Sequence, residues 1–284
     1  MNLSSNVTVI IPCYNDGAYI EQAINSIVNQ TVKPDKIIVI DDGSDEATKT
    51  VLKKIVVENL ELIFQKNQGV CKTRNNAIRL TTTDYILNLD ADDYFEPSFI
   101  EKAVNILKSN PDVGIVGCWY KIFGNKERNN ELIKPLGGNI ENFLFKNNGL
   151  GTSMYRKKCW EEVLGYDEKM TKGYEDWDFW IGILSNKWEM QIIKEVLFNY
   201  RVKTISRDII ALNNFDFELR EYIFLKHKEV FYNNYELFAL QLIEENCKLR
   251  NKNRIIKNSS NYRLGTVLMN PLRVFNVIKN KLTK

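Results

Sequence analysis

The sequence predicts an α/β fold, a mainly parallel sheet flanked by helices, followed by a helical C-terminal extension. Two patterns lead there. From Val7 to Ser109, short runs that are apolar throughout alternate with stretches whose apolar residues recur at helical spacing. Strands without a polar face belong in parallel sheets covered on both sides. Beyond residue 205, Gly and Pro nearly vanish and the helical period takes over, so 1–205 reads as one domain and 206–284 as its extension.

The elements follow in order. "VTVIIP" (7–12) is a β-branched strand, and "AYIEQAINSIVNQ" (18–30) sets Tyr19, Ile20, Ala23, Ile24, Ile27 and Val28 on one helix face. "KIIVID" (36–41) is the second strand, followed by a helix over 46–57, a strand at "LELIF" (60–64) and a helix over 69–80. "YILNLD" (85–90) is the fourth strand, and a helix over 97–109 comes next. Further on, "GLGTSMYRKKCWEEVLGYDEKM" (149–170) gives a short strand and a helix from near Lys158. "EDWDFWIGIL" starts a helix whose inward face is Trp177, Trp180, Ile181 and Leu184.

With 284 residues and 44% hydrophobic side chains, the chain can bury its own core, which excludes disorder. No run approaches the roughly 18 apolar residues of a membrane span. The start, "MNLSSNVTVIIPCYN", lacks the features of a signal peptide, so a cytoplasmic protein is expected. Cys13, Cys71, Cys118, Cys159 and Cys247 are odd in number and form no CxxC pair, which reads as reduced, mostly core thiols. His227 is the single histidine; a multi-histidine metal site is excluded, and "LKHKEV" reads as a solvated helix face.

The net charge of +3 is unevenly spread. Ten of the 39 basic residues lie at or after Lys248 with no acidic residue among them, leaving 29 basic against 36 acidic in the first 247 residues. A slightly acidic body thus carries a basic tail, a surface for a polyanion or an anionic membrane.

In parallel sheets, ligands bind beyond the carboxyl ends of the strands. Here those ends run into "CYND", "DDGSD", "QKNQG" and "DADD", so the expected crevice is rich in aspartate. Clustered carboxylates need a counter-charge, and an all-oxygen donor set suits Mg²⁺ or Mn²⁺. No GxGxxG or GxxxxGK[ST] loop is present, so a cation must help hold any phosphate, and a metal-bound diphosphate is the expected occupant.

Five motifs, "VTVIIPCYN", "IIVIDDGSDEAT", "NQGVCKTRNNAI", "YILNLDADDYFEP" and "GYEDWDFWIGIL", resemble in order and spacing the family 2 inverting glycosyltransferases of the Rossmann-like GT-A fold, over roughly residues 6–205. The resemblance implies a nucleotide-sugar donor, most plausibly a UDP-sugar, with Tyr14 against the base and Pro12 and Ala91 in the same donor site. It implies that Asp42 accepts from the uracil imide with Asp41 nearby, and that Arg74 lies by the ribose and diphosphate. Asp90 matches a carboxylate facing the ribose or the metal shell, Asp92 the metal ligand, and Asp176 the general base. The acceptor would be a hydroxyl of a growing, plausibly lipid-linked glycan. One departure stands out: many family members carry a histidine in the metal shell two residues past the arginine of "FNYRV", where this chain has Lys203. Either water and diphosphate oxygens complete the shell, or Lys203 contributes charge directly to the diphosphate.

Trp160, Tyr166, Tyr174 and Trp177 are candidates to stack on sugar rings or to fill the core. In the extension, Tyr235, Leu242, Leu249 and Ile256 recur every seven residues, with Phe238 at the d position, which suggests a homo-oligomer through these helices. "NYRLGTVLMNPLRVFNVIKNKLTK" pairs apolar residues with basic ones only, the composition of a helix lying on the cytoplasmic side of an anionic membrane. Two rival readings remain, a sugar nucleotidyltransferase and a non-catalytic nucleotide- or glycan-binding subunit. Nucleic-acid binding does not account for the acidic crevice.

Overall fold

The computed structural model describes residues 4–124, 128–203, 206–266 and 269. They fall into two compact units, Met1–Asn233 and Asn234–Lys284. The motifs end near residue 205, yet helices up to residue 233 belong to the first unit.

The first unit opens with β1 (Val7–Cys13), α1 (Ile20–Val28), β2 (Lys36–Asp42), α2 (Glu46–Leu52), β3 (Leu60–Gln65), α3 (Val70–Arg79) and β4 (Tyr85–Asn88). Next come β5 (Tyr94–Phe95), α4 (Phe99–Ser109), β6 (Val113–Phe123), β7 (Leu132–Ile133), β8 (Met154–Arg156), α5 (Lys157–Glu162), α6 (Glu175–Ser185) and β9 (Glu189–Arg201). It closes with α7 (Arg207–Asn214), α8 (Asp216–Lys226) and α9 (Lys228–Asn233). Among the described residues the strands form one sheet in the order β3-β2-β1-β4-β8-β6-β9-β5, with β7 against β6. The β3-β2-β1-β4 portion is parallel; β8 is antiparallel to both β4 and β6.

The strand order reverses between β1 and β4, because the chain leaves β1 toward β2 and β3 and returns to the opposite side. The connections on the two sides then diverge and open a crevice at the carboxyl ends. The core beneath is the apolar set that the alternation predicts. Val7, Val9 and Ile11 of β1 pack with Val39 of β2, Leu87 of β4 and the α1 face of Ile20, Ala23, Ile24 and Ile27. Cys13, Cys71, Cys118 and Cys159 are buried free thiols, and Cys247 is exposed.

Several elements differ from the sequence reading. The second helix stops at Leu52 instead of 57, and β4 ends at Asn88, after which Leu89 still packs in the core and Asp90 turns into the crevice. The long pair β6 and β9, parallel from Val113↔Glu189 to Phe123↔Arg201, was not anticipated. His227 does not lie on a solvated face. The end of α8 folds back on α6, and His227 Nε2 meets Asp178 Oδ1 at 2.8 Å with its side chain only 12% exposed.

The second unit holds α10 (Tyr235–Asn258), on which Tyr235, Leu242, Leu249 and Ile256 are exposed. Residues 267–268 and 270–284 of the basic tail, with Arg273, Lys279, Lys281 and Lys284, lie outside the described residues. No described helix is long and apolar enough to cross a membrane.

Candidate functional site

A cavity of about 850 Å³ occupies the crevice between β1 and β4, within the usual size of a small-molecule site. Pro12, Tyr14, Asp42, Arg74, Asp90, Ala91, Asp92 and Asp176 all line it. Of the residues matched to the donor site and the base, only Asp41 stands behind the wall. It is fully buried, and both its oxygens accept from the Ser44 N–H at 3.3 Å.

The turn after β2 does two jobs. Asp45 caps α2 by accepting from Thr48 N–H at 2.8 Å, the expected role for aspartate at a helix start. Asp42 faces the cavity and gathers the loop after β3: its Oδ1 accepts from Gln68 N–H and Gln65 Nε2, both at 2.8 Å, and its Oδ2 from Gly69 N–H at 2.9 Å. An ionised carboxylate offers about four acceptor sites, so one remains for a ligand. Tyr14, 52% exposed at the end of β1, presents a free aromatic surface opposite.

The "DADD" carboxylates are neutralised by the protein itself. Arg74, 2% exposed, donates from Nη2 to Asp90 Oδ1 at 2.7 Å and from Nη1 to Glu175 Oε1 at 3.1 Å. Burial works against the Asp90 charge, but Arg74 outweighs it and holds the carboxyl below its usual range. Lys203 Nζ sits 2.8 Å from Asp92 Oδ2 and 2.5 Å from Asp16 Oδ1. Asp92 is nevertheless raised, first by burial and then by Asp90 and Asp16, against the lowering contact of Lys203. Asp93 turns away: Oδ1 accepts the Arg201 N–H at 2.7 Å, while buried Oδ2 has no hydrogen-bond partner. Burial, with Asp92 and Asp90 adding to it, pushes Asp93 well up, which favours its uncharged acid.

On the far wall, α6 begins at a strained corner. Gly173 has φ 129° and Tyr174 φ 60°, a left-handed conformation costly for a tyrosine. Tyr174 is held there by donating its hydroxyl to Asp216 Oδ1 of α8 at 2.6 Å. A Cβ on Gly173 would meet Ala211 Cβ of α7 at 2.7 Å, so only glycine lets α7 approach. The corner aims Asp176 into the cavity. Its Oδ1 accepts Trp177 N–H at 2.9 Å and its Oδ2 accepts Asn147 Nδ2 at 2.8 Å. A Cβ at Gly151 would lie 3.1 Å from Oδ2, so the glycine leaves room for the carboxylate. Burial, then the charges of Glu175 and Asp208, push Asp176 up to about 7.

Sequence reasoning missed the residues that frame these groups. Asn147, Glu175, Tyr200, Arg207, Asp208 and Arg220 line the cavity, four of them past the last motif. Arg207 pairs with Glu175 beside Arg74, and burial of Glu175 is outweighed by these two guanidiniums, which keep it ionised. Among the aromatic candidates, Tyr166 is core, stacked on Phe179 with centroids 4.0 Å apart, and Trp160 is tied to Asn75. Tyr174 and Trp177 reach the cavity.

The donor set near Asp92 fits a hard cation. Asp16 and Asp92 already converge on one positive centre, the Lys203 ammonium, and all their ligating atoms are oxygen. Among the described residues no three acidic, histidine or cysteine side chains are arranged to hold a metal by themselves. A diphosphate and water would have to complete the shell, as Mg²⁺ permits.

Residues 8–166 match the model of glycosyl transferase family 2. An uncharacterized glycosyltransferase of Methanocaldococcus jannaschii is 30% identical over 208 residues, 69% of this chain and 70% of that protein. The chondroitin synthase of Escherichia coli is 27% identical over 203 residues, 68% of this chain but 28% of the synthase. The crystal structure of S. aureus TarS 1–349 in complex with UDP-GlcNAc superposes with a TM-score of 0.59 at 17% identity, over 80% of this chain and 72% of that one. At that identity the likeness is one of fold, a mostly parallel curled sheet flanked by helices.

Proposed function

The chain belongs to glycosyl transferase family 2, and on that premise we propose that it moves a hexose-type sugar from a UDP-linked donor to a glycan hydroxyl by a single inverting displacement. One observation carries this reading: a single cavity is lined by Tyr14, Asp42 and Asp92 together with Asp176. The first group has the chemistry for a nucleoside diphosphate, an aromatic surface for the base and oxygen ligands by the phosphates. That TarS has been crystallised with UDP-GlcNAc supports a uridine donor.

Asp176 is the general base. At about 7 its affinity for a proton suits removal of the acceptor's hydroxyl proton as that oxygen attacks the anomeric carbon. The bond to the diphosphate breaks on the opposite face. Asp92, assisted by Asp16, would hold Mg²⁺ or Mn²⁺, which when bound stabilises charge on the departing diphosphate. Arg207 and Arg74 add fixed positive charge beside Asp90. The acceptor is a growing glycan, lipid-linked in keeping with the wholly basic charge after Lys248, which suits the inner face of an anionic membrane. The exposed seven-residue repeat of α10 suits pairing with a second copy.

Calorimetric titration with UDP, in Mn²⁺ and then in chelator, tests the donor. Binding that needs the metal supports the reading, whereas a folded protein that ignores UDP under both conditions refutes it.

A further inference from the structure

We infer that Lys203 is the resident counter-ion of the free donor site, keeping divalent metal off Asp16 and Asp92 until a diphosphate arrives with it. The inference rests on the nucleotide-sugar reading of this cavity. Its basis is the geometry of one atom: Lys203 Nζ lies 2.5 Å from Asp16 Oδ1 and 2.8 Å from Asp92 Oδ2. It also sits 5.1 Å from the centroid of the Tyr19 ring. The two carboxylates come from the loops after β1 and β4, and their side chains are only 21% and 19% exposed. A freely solvated surface lysine would not meet two sheltered carboxylates and an aromatic face together.

A metal entering alone must break both ion pairs and leave the ammonium beside a doubly charged cation. Repulsion between like charges in a partly desolvated site opposes that exchange. A diphosphate reverses the balance, because its oxygens ligate the metal and give the displaced ammonium a new anionic partner. Lys203 therefore acts in opposite directions on the two ligands. Its removal tightens metal binding to the free protein and weakens binding of the diphosphate.

The test titrates the full chain with Mn²⁺, free ion being followed by electron paramagnetic resonance, with and without UDP. Wild-type protein is expected to retain Mn²⁺ only with UDP. Lys203→Met is expected to retain it without UDP, tighter than wild type by about tenfold or more. Lys203→Gln, close in length and uncharged, repeats the measurement should the methionine variant fail a thermal-unfolding check. Wild type that binds Mn²⁺ alone as tightly as the variants overturns the inference, as does a folded variant that gains no affinity. If UDP fails to bind wild type even with Mn²⁺, the donor assignment falls, while the metal-only comparison still decides the role of Lys203.

Discussion

Asn147 and Asp176, 29 residues apart in sequence, meet where the Asn147 amide donates to Asp176 Oδ2 at 2.8 Å. That bond favours the ionised carboxylate, in opposition to the burial that pushes Asp176 up to about 7. A general base works deprotonated, so kcat/KM should rise through about pH 7 and level off above it. Asn147→Ala removes a donor to the charged form and should move the rising limb to higher pH. Initial rates across the range decide it, and an unshifted limb would assign the ionisation to another group.

Asp176→Asn keeps the shape of the side chain and removes the proposed base. Turnover should fall by roughly 10²- to 10⁴-fold, the usual worth of general-base catalysis. UDP affinity by calorimetry should stay as in wild type. Turnover within a few fold of wild type would place the base elsewhere.

Arg74 is buried between Asp90 and Glu175. Arg74→Met leaves the Asp90 carboxylate without its partner and Glu175 dependent on Arg207. Breaking a buried pair on one side typically costs about 3–5 kcal/mol, to be read from urea unfolding. Arg74→Lys should recover only part of this, since a point charge cannot reach both carboxylates as the guanidinium fork does. A loss within about 1 kcal/mol would mean the pairs behave as exposed ones.

Tyr14 offers its ring with no other evident employment in the core. Tyr14→Ala should weaken UDP by about 1–3 kcal/mol, the usual range for stacking a base on an aromatic ring. Tyr14→Phe should restore it. Equal affinity for all three proteins would remove the ring from the donor site.

The parallel half of the sheet was legible because each strand is apolar along its length and each helix repeats at its own period. The convergence of polar residues on one cavity was legible for a related reason: strand ends are fixed by topology, so those after β1, β2 and β4 had to meet. The long strands β6 and β9 were not, since "VGIVGCWYKIF" and "EMQIIKEVLFNYR" lie outside the motifs, although Asn110-Pro111 before the first marks a turn. Arg207 and Arg220 were hidden because their helices read as an extension. Nothing local reveals that Tyr174 is anchored to Asp216, 42 residues on. His227 was misjudged for the same reason, its partner Asp178 being 49 residues away.

That α7 and α8 close the far wall of the cavity governs how the protein can be divided. A fragment cut after residue 205 would keep every described strand and both acidic loops, but its Tyr174 corner would lose Asp216 and its Glu175 would lose Arg207. Conversely, exchanging residues 207–233 for those of a relative would replace Arg207 and Arg220 in the cavity lining, and with Arg207 the second guanidinium on Glu175. The segment poorest in recognisable signature is thus the one that ties the cavity's last wall to the rest of the fold.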